Sequence, residues 1–457
     1  MGEKRRNFIG GLFLVVVLLS GCVSGDVDVN IWPMPKSVKY GGETLQLSKD
    51  FGLETSGTNF SDHFGDIERW FFEILQYGID ESYDLYIPSN GDSVYAHLQA
   101  QTVYGALHGL QTFSQLCQFN FETKTIEVQQ APWSIADEPR FSYRGLLIDT
   151  SRHYLPLPTI KKVIYPMAYT KLVLLLIFVS GFGNITMGVG YPQLWPSPSC
   201  QQPLDVSNEF TFEVIDGILS DFSKVFNFKF VHLGGDEVNG SCWETTPHIK
   251  YWLRKRQMNA SEAYEYFVLR AQKIALPHGY EIVNWEETLR NFGSKLSPKT
   301  VVHNWLDRVG GGLVQKAVAE GLRCIVSNQE NWYLDHLDAT WKQFYMNEPF
   351  TNITNPEHQK LVLGGEVCMW GETIDTSDIE QTIWPRAAAA AERMWTPLDQ
   401  LARHPRKVRG RLSRFRCLLN QRGVAAAPLS WLGRDAPTGP GSCYNQWLYN
   451  YNTVQKK

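Results

Sequence analysis

Six short apolar runs of strand type recur along the second part of the sequence, and each ends in polar or acidic residues. They alternate with longer segments of helical periodicity. Repeated β-then-α units form a parallel sheet, and six or more in one chain predict an α/β protein with a (β/α)8 TIM-type barrel. The catalytic groups of such a barrel lie at the carboxyl ends of its strands. The six runs are residues 144–149, 228–237, 280–286, 300–305, 323–328 and 361–366.

A smaller domain is predicted before the barrel. A chain of 457 residues exceeds one average domain of roughly 100 to 200 residues, which favours a large domain with a companion. Residues 26–130 contain short strands, such as the alternating segment 83–88, and one helix-like stretch at 103–116, which together predict a small α+β domain. Residues 131–144 contain two prolines and mixed charge and are interpreted as a hinge, so the barrel domain is placed at residues 140–457.

The charge balance and the tryptophan content bear on the class of ligand. With 43 basic and 47 acidic residues, the net charge of −4 gives no broad field that would hold nucleic acid. The 15 tryptophans favour a carbohydrate ligand, because sugar sites need flat apolar faces, although most tryptophans in any protein are core residues. The sequence has no CxxC, HExxH or histidine-rich cluster, so neither a metal site nor a cofactor is expected.

The amino terminus has the layout of a secretory signal peptide, predicted at residues 1–25. Lys4, Arg5 and Arg6 precede an apolar run at 8–19, and small residues follow. A signal anchor is the alternative, although the run is shorter than the roughly 20 residues that span a bilayer. The later apolar segment 172–179 is interpreted as a buried strand, so no membrane span is expected after signal removal. Five Asn-x-Ser/Thr acceptor sites agree with luminal exposure: Asn59, Asn184, Asn239, Asn259 and Asn352.

The number of cysteines is odd once the signal peptide is removed. Cys22 is then lost, and at least one of the remaining thiols is unpaired or pairs between chains. The seven that remain are Cys117, Cys200, Cys242, Cys324, Cys368, Cys417 and Cys443.

The most specific motif is HLGGDEV at residues 232–238. An apolar strand delivers two glycines and then the adjacent carboxylates Asp236 and Glu237. Adjacent carboxylates in a poorly hydrated pocket cannot both ionise freely, so one of them holds its proton. A protonated carboxyl group is what acid catalysis of sugar cleavage requires. The simpler alternative is that the pair caps the following helix.

Several further motifs occur in order along nearly the whole mature chain: IWPMPKSV from Ile31, YGALHGLQTFSQL from Tyr104, RGLLIDTSRHYLP from Arg144, NWEET from Asn284, HNWL from His303, NWYLDH from Asn331, GGEVCMWGE from Gly364 and WPRAAAAAER from Trp384. Together with HLGGDEV, they make the chain resemble glycoside hydrolase family 20 β-N-acetylhexosaminidases, most closely the plant-type β-hexosaminidases. The resemblance implies hydrolysis of terminal non-reducing N-acetyl-D-hexosamine residues of glycans. It also implies a substrate-assisted retaining mechanism, in which the acetamide of the substrate is the nucleophile.

The resemblance also implies roles for individual residues. Glu237 is expected to be the acid/base and Asp236 the carboxylate that orients the acetamide. Arg144 matches the arginine that fixes sugar hydroxyls, with a salt bridge at the barrel mouth as the alternative. The remaining matches are the aromatic walls of the sugar subsite and the groups near the acetamide and hydroxyls, namely Trp285, Trp305, Trp370, Tyr333, Asp335 and Glu372.

Cysteine pairing and assembly are also implied by the resemblance. Cys200 would pair with Cys242, and Cys417 with Cys443, as in relatives. Cys324 and Cys368 lie in apolar strands and are expected to be buried free thiols. A homodimer is implied in the same way. The expected location is the secretory pathway, ending in the extracellular space, the cell wall or a vacuole.

One segment departs from the family pattern. After Leu172 the second and third barrel strands of the family are missing, and residues 173–187 read VLLLIFVSGFGNITM instead. The barrel should therefore lack about two βα units near 173–187. Residues 172–179 can supply one surrogate strand, which leaves the ring a strand short. The alternative functional hypothesis is accordingly a catalytically impaired, splice-type variant or a non-catalytic sugar-binding protein.

Overall fold

The computed structural model describes residues 29–54, 77–178, 192–226, 228–308 and 310–429. The predicted signal peptide and the acceptor sites Asn59 and Asn184 lie outside these residues. Two domains follow one another along the chain. The elements of the first are β1 (Ser37–Gln46), β2 (Tyr83–Ile87), β3 (His97–Ala100), α1 (Val103–Leu116), β4 (Cys117–Asn120) and β5 (Thr125–Asp137).

In the described residues the first domain is an antiparallel sheet with helix α1 packed on it, in agreement with the predicted small α+β domain. The strand order is β1-β5-β2-β3, and β4 pairs with β5. In β2 every second side chain is buried, which is the burial pattern of a sheet with one face on a core. Helix α1 begins after Thr102, whose hydroxyl accepts from the Gly105 amide at 3.2 Å.

The predicted hinge at residues 131–144 is wrong, because most of it is strand. β5 continues through the predicted boundary at residue 130 to Asp137, and it pairs with both β1 and β2 along this length. Its alternate residues Ala131, Trp133 and Ile135 are buried. Buried and exposed side chains alternate here with a period of two, which is typical of a strand, whereas the prolines and the mixed charge had suggested a loop.

The described residues of the second domain form seven parallel strands and the helices between them. Its strands are β6 (Tyr143–Asp149), β7 (Leu174–Phe178), β8 (Phe230–His232), β9 (Glu281–Trp285), β10 (Val301–Asn304), β11 (Arg323–Val326) and β12 (Val362–Met369). Its helices are α2 (Leu157–Tyr169), α3 (Glu209–Val225), α4 (Ser241–Thr245), α5 (Pro247–Arg256), α6 (Ala260–Ala275), α7 (Glu287–Phe292), α8 (Leu313–Ala319), α9 (Gln329–Trp332), α10 (Trp341–Met346), α11 (Pro356–Gln359), α12 (Ile379–Ile383), α13 (Arg386–Trp395) and α14 (Arg409–Gln421).

The parallel sheet is an incomplete barrel. All six predicted runs form strands, and the order is β7-β6-β12-β11-β10-β9-β8. β7 is the predicted surrogate strand, and it pairs with β6 from Gly145 and Leu174 onward. Among the described residues β7 and β8 each have one strand partner, so the sheet has two ends instead of a closed ring. The prediction of an incomplete (β/α) barrel is confirmed for the described residues.

A group of buried charges joins the two domains. The ammonium of Lys171 lies 2.8 Å from Asp137 Oδ2 and 4.3 Å from the centre of the Trp395 ring. The Trp395 indole donates to both oxygens of Asp137 at 3.0 Å. Arg144 and Glu81 form a second buried pair with a separation of 2.6 Å. Because each charge has a partner of opposite sign, these groups can be buried at the contact between the domains.

The cysteines follow the predictions where the structure describes them. Cys200 and Cys242 form a disulfide with a Cα–Cα distance of 5.7 Å. Cys443 lies outside the described residues, so its predicted pairing with Cys417 stays a prediction. Cys324 and Cys368 are buried free thiols. No helix in the described part of the chain is long and apolar enough to cross a membrane.

Candidate active site

The site lies at the carboxyl ends of the strands, where β8 leads into a tight loop. Gly234 and Gly235 have φ angles of 68° and 102°, and Glu237 also adopts a positive φ of 46°. The Gly234 carbonyl accepts from the Trp285 amide and from Asn284 Nδ2, both at 3.0 Å. A Cβ at position 235 would lie 2.7 Å from the Thr288 methyl group. Glycine is therefore required here, because the loop is strained and packed against β9.

The loop carries the two predicted carboxylates, Asp236 and Glu237, and both residues are exposed. Enough protein surrounds Asp236 that desolvation raises its pKa, and the neighbouring charge of Glu237 adds to this rise. The positive charge of Arg152 opposes it. The direction of the Asp236 shift agrees with the expectation that an adjacent carboxylate opposes a second negative charge.

Four aromatic side chains pack together near Asp236, and we call them the aromatic box: Trp285, Trp305, Tyr333 and Trp370. The ring centres of Trp285 lie 6.2 Å from those of both Trp305 and Trp370. Tyr333 stacks against Trp305 at 6.2 Å and lies 6.0 Å from Trp370. These residues follow four different strands, so the barrel topology is what brings them together.

Glu286 fixes the position of Trp305. It is fully buried, and its Oε2 accepts from Asn304 Nδ2 at 2.7 Å and from the Trp305 amide at 2.8 Å. The Trp305 indole then donates to Glu287 Oε2 at 3.0 Å. Desolvation raises the pKa of Glu287 to about 7, and the negative charge of Asp236 contributes to this shift. Neither glutamate was predicted as a site residue, although both are part of the motif NWEET.

Arg152 is the arginine of the site, and the sequence analysis missed it. Its Nη1 lies 3.0 Å from Asp149 Oδ2, and its Nη2 lies 3.5 Å from the predicted residue Glu372. Its guanidinium stands 5.1 Å from the centre of the Trp370 ring. The signal was available, because Arg152 directly follows the carboxyl end of β6, where catalytic groups of barrels lie.

The prediction for Arg144 is wrong. This residue is near the amino end of β6, fully buried, and its donors are engaged by Glu81 Oε1 at 2.6 Å and by the carbonyls of Phe141 and Lys171 at 2.6 and 2.9 Å. A buried arginine at the amino end of a strand cannot reach a ligand at the carboxyl end. The alternative prediction was a salt bridge at the barrel mouth. Arg144 does form a salt bridge, with Glu81, but it lies at the opposite end of the barrel.

Asp335 carries a buried carboxylate oxygen, Oδ1, for which no hydrogen-bond partner occurs in the described ranges. Desolvation raises the pKa of Asp335 to about 6, and the positive charge of His336 acts in the opposite direction by lowering it. A hydroxyl group of a ligand would satisfy this oxygen.

In the described part of the chain, His303, Glu366 and Cys368 offer atoms within 4.8 Å of one another that could hold a metal ion. Both ring nitrogens of His303 are already engaged, by His232 at 3.1 Å and by Ser327 at 2.7 Å. Burial raises the pKa of Glu366 to about 8, so its carboxyl group is protonated at neutral pH. As folded, this group does not suit a metal ion, because both His303 nitrogens are engaged and burial raises the pKa of both Glu366 and Cys368, which disfavours their anionic forms.

Paired carboxylates beside an aromatic box and an arginine, at the carboxyl ends of barrel strands, define a glycoside hydrolase. The sequence matches the family model "Glycosyl hydrolase family 20, catalytic domain" at residues 141–179 and 191–398. Residues 66–116 match the model "beta-acetyl hexosaminidase like". The chain belongs to glycosyl hydrolase family 20.

Named relatives cover nearly the whole chain. Beta-hexosaminidase 3 of Arabidopsis thaliana is 52% identical over 539 residues, which cover 98% of this chain and 100% of the relative. That alignment is longer than the 457 residues of this chain, so the relative contains segments that this chain lacks. Beta-hexosaminidase 1 of Arabidopsis thaliana is 43% identical, covering 91% of this chain and 94% of the relative.

Solved structures show the same fold. A chitobiase of Flavobacterium johnsoniae superposes with a TM-score of 0.75 at 23% identity, covering 86% of this chain and 73% of that one. An exo β-N-acetylglucosaminidase of Vibrio harveyi in complex with N-acetylglucosamine gives a TM-score of 0.73 at 19% identity, covering 87% and 78%.

Proposed function

We propose that this chain is a β-N-acetylhexosaminidase that removes terminal non-reducing N-acetyl-D-hexosamine residues from glycans. The observation that carries the proposal is the position of the exposed pair Asp236 and Glu237 close to the aromatic box, where the charge of Asp236 acts on Tyr333. Its family membership supports the same reaction, because relatives are named β-hexosaminidases.

The proposed mechanism uses the substrate's own acetamide. Its carbonyl oxygen attacks the anomeric carbon while the bond to the leaving oxygen breaks, and Glu237 gives its proton to that oxygen. Asp236 accepts a hydrogen bond from the amide N–H and stabilises the positive charge of the oxazolinium intermediate. Glu237, now a carboxylate, takes a proton from a water molecule that attacks the anomeric carbon. The amide re-forms, and the sugar retains its configuration.

The other residues around Asp236 and Glu237 would bind the sugar. The aromatic box provides apolar faces for the acetamide methyl group and for the C–H face of the ring. Arg152 takes the role that the resemblance had given to Arg144, since its planar array of donors suits sugar hydroxyls. Asp335 and Glu372 would accept hydrogen bonds from those hydroxyls.

The gap in the described sheet lies between β7 and β8, outside the run of strands that carries the proposed site residues. The proposed site residues follow β6, β12, β11, β10, β9 and β8, and these six strands are neighbours in one uninterrupted hydrogen-bonded series. One observation favours the alternative of a sugar-binding protein without turnover. β8, which leads into the acid/base loop, has only three residues and one partner among the described strands.

A chromogenic N-acetylglucosaminide or N-acetylgalactosaminide tests the proposal. We expect turnover that Glu237→Gln abolishes, because the amide cannot donate the required proton. Glu244→Gln, an exposed glutamate on α4, is the matched control and should leave turnover unchanged. Equal turnover in Glu237→Gln would refute the assignment. Binding of N-acetylglucosamine without any turnover in the wild type would establish the non-catalytic alternative.

We also propose that the chain enters the secretory pathway and is glycosylated, reaching the extracellular space, the cell wall or a vacuole. The signal-like amino terminus and the Cys200–Cys242 disulfide support this location. The acceptor residues Asn239, Asn259 and Asn352 are all exposed, as glycosylation requires. A mobility shift after N-glycosidase treatment of the protein from its native cells tests the proposal. The homodimer implied by the resemblance stays a prediction, which sedimentation would check.

A further inference from the structure

Four hydrogen bonds form a continuous chain from the acid/base loop into the core of the sheet, and we call it the histidine chain. The Gly234 amide donates to His232 Nδ1 at 3.0 Å. His232 Nε2 lies 3.1 Å from His303 Nδ1, and His303 Nε2 lies 2.7 Å from Ser327 Oγ. The Ser327 hydroxyl donates to the Glu366 carbonyl at 2.7 Å. The chain thus crosses from β8 over β10 and β11 to β12.

The two ends of the histidine chain determine where every proton lies. A carbonyl can only accept, so the Ser327 hydrogen points to Glu366, and Ser327 Oγ must accept from His303 Nε2–H. At the other end a backbone amide can only donate, so His232 Nδ1 is bare and His232 Nε2 carries the hydrogen. His303 Nδ1 is then the acceptor between them. Both imidazoles are neutral, and both have the hydrogen on Nε2.

The surroundings of both rings favour this neutral state. His303 is fully buried and stacks against Trp285 with ring centres 4.3 Å apart. Desolvation holds the pKa of His303 well below its ordinary value and lowers that of His232 to about 3. Glu366 is the ionisable group that faces His303, at 3.9 Å, and it is protonated at neutral pH. The thiol of Cys368 is also nearby, and its raised pKa keeps it uncharged.

The histidine chain is important for the position of the acid/base loop because β8 is short. The strand has three residues, and only β9 pairs with it among the described strands. The loop that carries Asp236 and Glu237 starts at its carboxyl end, beside the end of the sheet. The histidine chain connects that loop to the three strands on the far side of β9.

We propose that His232, His303 and Ser327 are positioning residues, which hold the acid/base loop through a hydrogen-bond chain with a single permitted direction. The inference rests on the proposed function. A loss of one donor or acceptor would leave a buried polar group unpaired and release Gly234, two residues before Asp236. A shift of about 1 Å at a reacting carboxyl group is enough to reduce turnover about a hundredfold.

The direction of the chain can be measured without any substrate. Wild-type protein with 15N in the histidine rings is examined by long-range 1H–15N correlation spectra between about pH 5 and pH 8. We expect two histidines that stay neutral, with hydrogen on Nε2, over the whole range. The His303→Gln variant assigns the two sets of signals. Hydrogen on Nδ1 of either ring, or conversion of either ring to imidazolium in this range, would overturn the inference.

Turnover then tests the positioning role. His303→Leu removes both hydrogen bonds and should lower kcat about a hundredfold, with KM changed about threefold or less. His303→Gln should recover most of kcat, because its amide offers one donor and one acceptor. His108→Leu is the matched control, a buried histidine that pairs with Glu81 in the first domain, and it should keep kcat.

Equal kcat in His303→Leu and in the wild type would show that the histidine chain does not position the loop. An equal loss in the Leu and Gln variants would show that ring shape, and not hydrogen bonding, is what matters, which also contradicts the inference. A wild-type protein without turnover would contradict the proposed function alone, since the spectra would still report the direction of the chain.

Discussion

Arg144 and Arg152 lie at opposite ends of β6, and their different surroundings predict different effects of substitution. Arg152→Met removes the charge beside Asp236 and the partner of Glu372. We expect KM for a chromogenic substrate to rise about ten- to a hundredfold, as for the loss of a charge-assisted hydrogen bond. Tm should fall less than in Arg144→Met, because buried Asp149 loses the Arg152 charge but still accepts from the Ser151 and Gly371 amides. Arg144→Met should lower Tm and leave KM of the folded fraction unchanged. An unchanged KM in Arg152→Met, or a raised KM in Arg144→Met, would contradict this division.

The raised pKa of Glu287 predicts that the stability of the folded protein depends on pH. Its pKa is raised by desolvation to about 7 in the folded protein, above the value of 4.5 for an ordinary glutamate. A raised carboxyl pKa favours the protonated form, so its contribution to stability is present below about pH 4.5 and is lost as the pH rises through 7. In Glu287→Gln the amide oxygen can still accept from the Trp305 indole, and the side chain stays uncharged as the pH rises.

The difference in Tm between Glu287→Gln and the wild type should therefore grow in favour of the variant between pH 5 and pH 8. Differential scanning calorimetry at several pH values measures it. A difference that does not change with pH would show that Glu287 does not titrate in this range. Asp338→Asn, a carboxylate for which the structure gives no buried contact, serves as the comparison.

Residue roles could be predicted where strand direction and motif agreed. Asp236, Trp285, Trp305 and Trp370 all follow the carboxyl end of a predicted strand, and the structure places them together. Arg144 failed because its motif contains two arginines, and resemblance alone did not separate the amino end from the carboxyl end of β6. The histidine chain could not be predicted, because it depends on which side chains of non-consecutive strands become neighbours.

Helix α6 offers a prediction at the scale of one element. Asn259 accepts from the Glu262 amide at 2.9 Å, and Glu262 Oε2 accepts from the Asn259 amide at 2.8 Å, which is a complete capping box. Asn259→Ala should lower the free energy of unfolding by about 1 kcal/mol. Asn259→Asp keeps the cap but removes the glycosylation acceptor. Urea denaturation of all three proteins separates the two effects, and equal losses in both variants would assign the stability to the glycan.

The elements themselves could largely be predicted from periodicity. The six apolar runs all form strands, and residues 103–116 form α1, because burial on one or two faces leaves a clear pattern. The strand at the predicted hinge was missed, because the prolines indicated a loop more strongly than the alternating apolar residues of β5 indicated a strand. The surrogate strand β7 was predicted from its apolar composition alone, and its pairing with β6 confirms it.

At the scale of the whole molecule, the contact between the domains should govern acid stability. Burial by itself raises the pKa of Glu81, but Arg144 and His108 outweigh it and lower the pKa to about 2. Because this value is below the ordinary 4.5, the ion pair contributes its full stability above about pH 4.5. The contribution is lost as the pH falls from there to about 2.

Glu81→Gln should cost about 3 kcal/mol of unfolding free energy at pH 6, because it leaves Arg144 buried without a counter-charge. Its stability should also fall less steeply than that of the wild type below pH 4.5. Chemical denaturation at pH 6, 4 and 3 measures both quantities. Parallel acid profiles for the two proteins would show that the pair does not determine acid stability. Exposed Glu138→Gln is the control.

A closed barrel leaves no strand with an unused row of amides and carbonyls. Here the outer sides of β7 and β8 have no strand partner in the described ranges, so each can serve as a template for the backbone of another polypeptide. During folding and on warming, such rows compete for any extended segment that comes near. Open edges on β7 and β8 would therefore affect the colloidal behaviour of the protein more directly than its chemistry, and would make protein concentration a determinant of how long the folded chain survives.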